Sequence, residues 1–203
     1  MKMKTVLIIL GIFITVFALV QVYTLISRSR IESYPFKVIK TFKDIEIRNY
    51  EATLFSSVTL PTNEFKKASS QGFSILAGYI FGGNKTNEKI AMTSPVSMSL
   101  EDSMTMMFMV PKKFSKENLP KPNQSEIKFH EEPAKTVAAI TFGGWANSKK
   151  IEIYKNKLKA SLNTLGISYT NHFYFLGYNP PFDIFNRKNE IIVELDKGFK
   201  NQN

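Results

Sequence analysis

The sequence predicts an α+β domain made of one β-α unit written twice, preceded by a single membrane-spanning helix. Three observations carry that expectation. Thr5–Ile26 contains no charged residue, and a hydrocarbon core about 30 Å thick needs roughly 20 helical residues to cross. Behind it, the order strand, strand, helix, strand, strand occurs twice between residues 36 and 196. Each helical stretch carries apolar residues at spacings of three and four and ends at glycine. Two such units closing on each other give a distorted antiparallel or mixed β-barrel with two helices against it.

Residues 1–30 form the anchor and its flank, and 31–35 read as a short polar tether ending at Pro35. A cleaved signal peptide has an apolar region of only about 7–15 residues and a small-residue cleavage site. Here the flank is Gln21, Val22 and Tyr23, then Ser27-Arg28-Ser29-Arg30, so an uncleaved anchor is expected through residues 5–26. Lys2 and Lys4 on one side nearly balance Arg28, Arg30, Lys37 and Lys40 on the other. A short tail before a large domain leaves the tail in the cytoplasm, which places the domain outside, in a single-pass protein.

The domain spans 36–196, with a polar tail at 197–203. Within 36–60, Ile45, Ile47, Leu54, Ser56 and Val58 alternate with their neighbours as strands do. Pro61-Thr62-Asn63 starts a helix from about Glu64 to Ile80, with Thr62 or Asn63 as its cap. Phe65, Ala68, Gly72, Leu76 and Tyr79 make its core stripe, and Gly82-Gly83 stops it. Lys89–Leu100 and Met104–Val110 read as methionine-rich strands, and Pro111–Pro122 as a loop. The second half gives strands at Ile127–Phe129 and Thr136–Phe142, then a Gly143-Gly144 turn. A helix capped by Asn147 or Ser148 follows, carrying Ile151, Tyr154, Leu158 and Leu165 and closing at Gly166. Strands at His172–Gly177 and Glu190–Leu195 end the unit, with the Tyr178-Asn179-Pro180-Pro181 turn between them.

The composition excludes several functions. Among 203 residues there is no cysteine, so disulfides, thiolate metal sites and a cysteine nucleophile are out. The two histidines cannot make a three-histidine zinc site. The net charge of +10 includes four residues flanking the span, Lys2, Lys4, Arg28 and Arg30, which leaves the domain moderately basic. Its lysines are dispersed and no nucleic-acid module holds them, so no nucleic-acid partner is expected. Ser94 lacks the G-x-S-x-G surroundings of an activated serine. The acidic residues Asp44, Glu46, Glu51, Glu131 and Glu132 form no acid–base motif, and no catalytic residue is assigned. Asn84-Lys85-Thr86 and Asn123-Gln124-Ser125 fit the glycosylation pattern.

Three stretches in order, Gly78–Met98, Phe142–Lys150 and Leu176–Leu195, together with IEIRNYE at Ile45–Glu51 and FMVPKKF at Phe108–Phe114, resemble the SOUL haem-binding protein family. The resemblance covers nearly all of 36–196. It implies a pseudo-twofold β-α barrel that binds haem or another tetrapyrrole without catalysis, for storage or transfer. In some members a histidine before the second-strand tyrosine is taken as the axial iron ligand; here Asn49 stands there, before Tyr50. In others an apolar groove on the domain's first helix holds the macrocycle. That groove corresponds here to Ser70, Phe73 and Ala77, with Met92 and Met98 on the following motif strand, and no metal-ligating residue is assigned. Ser70, Phe73 and Ala77 fall on one line, rotated off the core stripe. The alternative is a non-haem small-molecule or protein-interaction module of the same fold.

Overall fold

The structure, a computed structural model, describes residues 3–28, 31–180, 183 and 186–196. The polar tail, Pro181 of the predicted turn, and Lys2 and Arg30 of the flanking charges lie outside the described residues. Helix α1 runs Met3–Arg28, and its Met3–Gln21 stretch is long and apolar enough to cross a membrane. Strands β1 (Phe36–Thr41), β2 (Glu46–Tyr50) and β3 (Thr53–Leu60) follow, then helix α2 (Phe65–Ile80), β4 (Val96–Ser99) and β5 (Met104–Met109). The second half gives β6 (Lys128–Glu132), β7 (Lys135–Gly143), α3 (Ser148–Thr164), β8 (Tyr169–Gly177) and β9 (Lys188–Leu195).

The nine strands form one sheet in the order β1-β2-β7-β9-β8-β4-β5-β3-β6, with antiparallel neighbours throughout. Exchange β2 with β6, β3 with β7, β4 with β8 and β5 with β9, and the order from β2 to β6 reads the same backwards. The duplicated unit is therefore visible in the topology, with the β4–β8 pair at its centre and β1 added at one edge. Two connectors close the curl. Glu51-Ala52 joins β2 to β3 and Pro133-Ala134 joins β6 to β7, although each pair sits near opposite ends of the sheet. Two residues span too little distance for a flat sheet, so it bends into a half-barrel.

Strand alternation sorts the core onto two faces. On one face α2 packs over Val58, Leu60, Met104, Met106 and Phe108, and α3 over Ala138, Ile140, Phe173, Ile191 and Val193. On the other, Tyr50, Phe55, Met107, Met109, Val137, Leu176 and Ile192 are buried inside the curl, where no helix covers them. Met106 and Met107 are adjacent yet both buried, because both faces of β5 are covered. Gly72 lets α2 approach this closely: a Cβ there would lie 2.9 Å from Met106 Cβ.

Four local expectations change. The cap of α2 is Glu64, in extended conformation, and Thr62 Oγ1 accepts a hydrogen bond from the Glu64 N–H at 3.2 Å. The expected strand over Lys89–Leu100 shrinks to Val96–Ser99, since Pro95 brings no N–H to a ladder. Asn84 of the first glycosylation pattern is buried, its amide donating to Tyr79 O and Glu88 O. The cap of α3 is Asn147, whose Oδ1 accepts from Lys150 N at 2.9 Å, and Gly166 closes that helix at φ 65°. Residues 32–35 lie in the domain: Tyr34 N donates to Ser94 O, and Ser94 N to Glu32 O, each at 2.9 Å.

Candidate functional site

Two helices on one face of the sheet leave a gap along the central β4–β8 pair. A cleft of about 360 Å³ opens there. Its floor comes from the register Met98↔Phe175 and Val96↔Gly177, which turns those four residues toward the helices. Gly177 keeps the floor flat; a Cβ on it would come within 3.3 Å of the Phe175 ring. Phe65, Ser69, Ser70 and Phe73 of α2 form one wall, with Met106 at its base. Phe73 is half-buried and meets Phe108 edge-on at 5.5 Å, and Phe65 meets Phe175 edge-on at 5.1 Å.

The opposite wall comes from the second half of the chain. The Gly143-Gly144 turn, with Gly144 at φ 74°, lifts Trp145 to the rim, where it remains 54% exposed. The Arg187 guanidinium lies 3.9 Å from the indole centroid. Its Nη1 donates to Asp183 O at 2.6 Å and Pro180 O at 3.0 Å, which ties both residues to the guanidinium. Asn189 Nδ2 donates to Gly144 O at 2.7 Å and ties the tryptophan turn to β9.

A buried ionic network supports the sheet near the cleft. Arg48 meets the fully buried Glu190 carboxylate with two bonds of 2.8 and 3.0 Å. Tyr178 OH donates to the same carboxylate at 2.6 Å and Thr141 Oγ1 at 3.1 Å. Burial pushes the Glu190 carboxyl up, but the bonds and charge of Arg48 outweigh it and hold the group below the usual carboxylate range. Burial and the Glu190 charge push the Tyr178 hydroxyl well above its ordinary value. With its charge matched in place, the network stiffens the start of the 178–188 loop.

Of the residues proposed from sequence, Ser70, Phe73 and Met98 line this cleft. Met98 is 1% exposed, so it lies beneath the wall and its sulfur is not presented. Ala77 faces the α2 core, and Met92 lines a separate void of about 10 Å³ with Ile90 and Met109. Asn49 is exposed on β2, its Oδ1 accepting from Thr136 Oγ1 at 2.7 Å. The histidines lie elsewhere: His130 Nε2 is 3.1 Å from Glu132 and His172 Nδ1 2.9 Å from Glu101. Among the described residues no cluster of three histidine, aspartate or glutamate side chains is placed to hold a metal.

Sequence reading missed Trp145 and Arg187 as one unit, although the lone tryptophan beside a double glycine marks a displayed aromatic. No spacing signal links Arg48 to Glu190, 142 residues apart. A hollow of about 580 Å³ on the other side of α2, beside Thr62, Lys67, Gln71 and Glu126, is larger, but no aromatic side chain lines it.

The comparisons agree on fold and family. Over 155 residues the chain is 28% identical to heme-binding protein 1 of Xenopus laevis, covering 72% of this chain and 80% of that protein. It is 27% identical to heme-binding protein 2 of Homo sapiens, covering 72% of this chain and 75% of that one. The C-terminal domain of EcmrR shares the fold, with a TM-score of 0.60 at 14% identity over 75% of this chain and 97% of that one. The SOUL heme-binding protein family matches residues 31–194, and the chain belongs to that family.

Proposed function

We propose that this protein is a membrane-anchored carrier of haem or a related tetrapyrrole, held in the cleft between α2 and the Trp145 turn, with no catalytic step of its own. The observation that carries the reading is the pairing of an aromatic trough with the Trp145–Arg187 stack at its rim. A tetrapyrrole is a flat apolar disc with carboxylates at one edge. Phe65, Phe73 and Phe175 suit the disc, and the guanidinium of Arg187 suits the propionates. The volume of about 360 Å³ fits one face or edge of the disc, as in a carrier that must also release it. Helix α1, whose Met3–Gln21 stretch is long and apolar enough to cross a membrane, supplies the anchor, with the domain on the outer side.

No histidine lines the cleft, and the Met98 sulfur is buried. Binding through the macrocycle's face and edge then needs no iron ligand from these walls. The test is a titration of the detergent-solubilised full chain with haemin, following the Soret band and the emission of Trp145, the single tryptophan. A saturable shift with quenching at micromolar protein is expected. Iron-free protoporphyrin should bind within about threefold of haemin, and His130→Ala or His172→Ala should leave the haemin spectrum unchanged. Absence of saturation refutes the carrier reading; loss of the spectrum in either histidine variant refutes ligand-free binding.

A further inference from the structure

Helix α1 and the domain are joined by a strap that is bonded at one particular place. Glu32 O accepts from Ser94 N, and Glu32 Oε2 accepts from the N–H of Lys112. The chain therefore enters the domain beside the loop 111–122. That loop exposes Lys112, Lys113, Lys116 and Lys121. The neighbouring loop 82–89 is bound to it, with Lys85 N donating to Lys121 O at 2.9 Å and Asn123 N to Gly83 O at 3.1 Å, and adds exposed Lys85 and Lys89. At the end of α2, next to these lysines, Phe81 stands 64% exposed. Glu32, Glu88 and Glu117 are the acidic groups on the two loops and the strap, so the surface is positive by about three charges.

We infer that this lysine face, formed by the loops 82–89 and 111–122 with Phe81, lies against anionic lipid headgroups. The inference rests on the membrane anchoring of α1 proposed above. Chain length supports it. The uncharged stretch ends at Ile26, helical rise carries α1 about 3 Å further to Arg28, and four residues more reach at most about 14 Å. A domain of this size is roughly 40 Å across, so the strap lies closer to the bilayer than the domain's own width. Charge within about a Debye length of 8 Å of an anionic leaflet is drawn to it, and an exposed aromatic among lysines suits the headgroup boundary. Helix α3 is also rich in lysine, but the strap's bonds go to Ser94, Lys112 and Glu51, not to α3.

The absence of cysteine permits single labels on the full chain. A nitroxide at Lys113→Cys or at Lys157→Cys on α3 would be measured in phosphatidylcholine vesicles with and without phosphatidylserine, using a nickel-chelating lipid headgroup as relaxant. The label at 113 should relax at least about twofold more than the label at 157 when phosphatidylserine is present. Reversing Lys112, Lys116 and Lys121 to Glu should abolish that difference. Equal relaxation at both sites, or a difference untouched by charge reversal, overturns the lipid-facing surface. Release of the chain from vesicles by alkaline carbonate removes the anchor, and this face with it; retention with equal labels removes the face alone.

Discussion

Trp145 is the residue whose position most needs a partner. An indole 54% exposed at the lip of an aromatic cleft leaves a large apolar surface in water, and the stacked Arg187 covers only one side of it. Folding gains little from such a placement, whereas a flat ligand would bury the open face. Trp145→Ala should therefore lower haemin affinity about tenfold, the equivalent of about 1.4 kcal/mol, while thermal unfolding stays within a degree or two of the parent. Calorimetric titration beside a melting curve checks both, and an unchanged affinity would place the macrocycle elsewhere. Phe73 answers a different question. It packs on Phe108 under the same wall, so its removal disturbs binding and stability together and separates them less cleanly.

Among the elements, both helices of the domain and most strands were legible in sequence because each depends on local periodicity: of the predicted α2 stripe, Ala68, Gly72, Leu76 and Tyr79 are buried, while Phe65 is half-buried at the cleft. The curl was not legible, because it depends on which distant strands pair. Asn49 opposes Thr136 and Phe55 opposes His130, and no local pattern encodes either. The cleft was half-legible for the same reason, since Phe73 comes from the first unit and Trp145 and Arg187 from the second. The β6–β7 connector allows a test of how the curl is held. Glu132 lies at its start, with Lys135 Nζ at 2.6 Å and His130 Nε2 at 3.1 Å. The His130 bond, against the cost of burial and with help from Lys135, holds the carboxyl down to about 2. A depressed carboxyl stabilises the fold above its unfolded value near 4.5 and loses that contribution as pH falls toward 2. Glu132→Gln should thus cost about 2 kcal/mol near pH 6 and almost nothing near pH 2. Urea midpoints of the two proteins across that range read the gap, and a gap independent of pH would contradict the ionic role.

For the whole molecule, helix α1 and the segment that enters the domain place their apolar side chains in opposite ways. The side chains of α1 such as Ile8, Phe13 and Leu19 are exposed, an apolar cylinder uncovered by the domain. Tyr34 is the opposite case: it is 5% exposed, its ring 4.3 Å from Tyr50 and 5.1 Å from Phe55, inside the curl. Its hydroxyl has no hydrogen-bond partner among the described residues, so the ring supplies the stabilisation and the hydroxyl detracts from it. A fragment beginning at Ile31 should therefore keep the fold, while one beginning at Phe36 loses the ring and the Ser94 and Lys112 bonds. The shorter fragment should be weaker by about 3 kcal/mol, which lowers its urea midpoint by about 1.5 M at unchanged slope. Tyr34→Phe in the full chain should be neutral or slightly stabilising, which separates loss of the ring from loss of the hydroxyl. If the two fragments unfold at the same midpoint, the strap is peripheral to the stability of the domain. If they differ as expected, the half-barrel is clamped a few residues from α1, and the surface it turns toward that helix is set by its own hydrogen bonds.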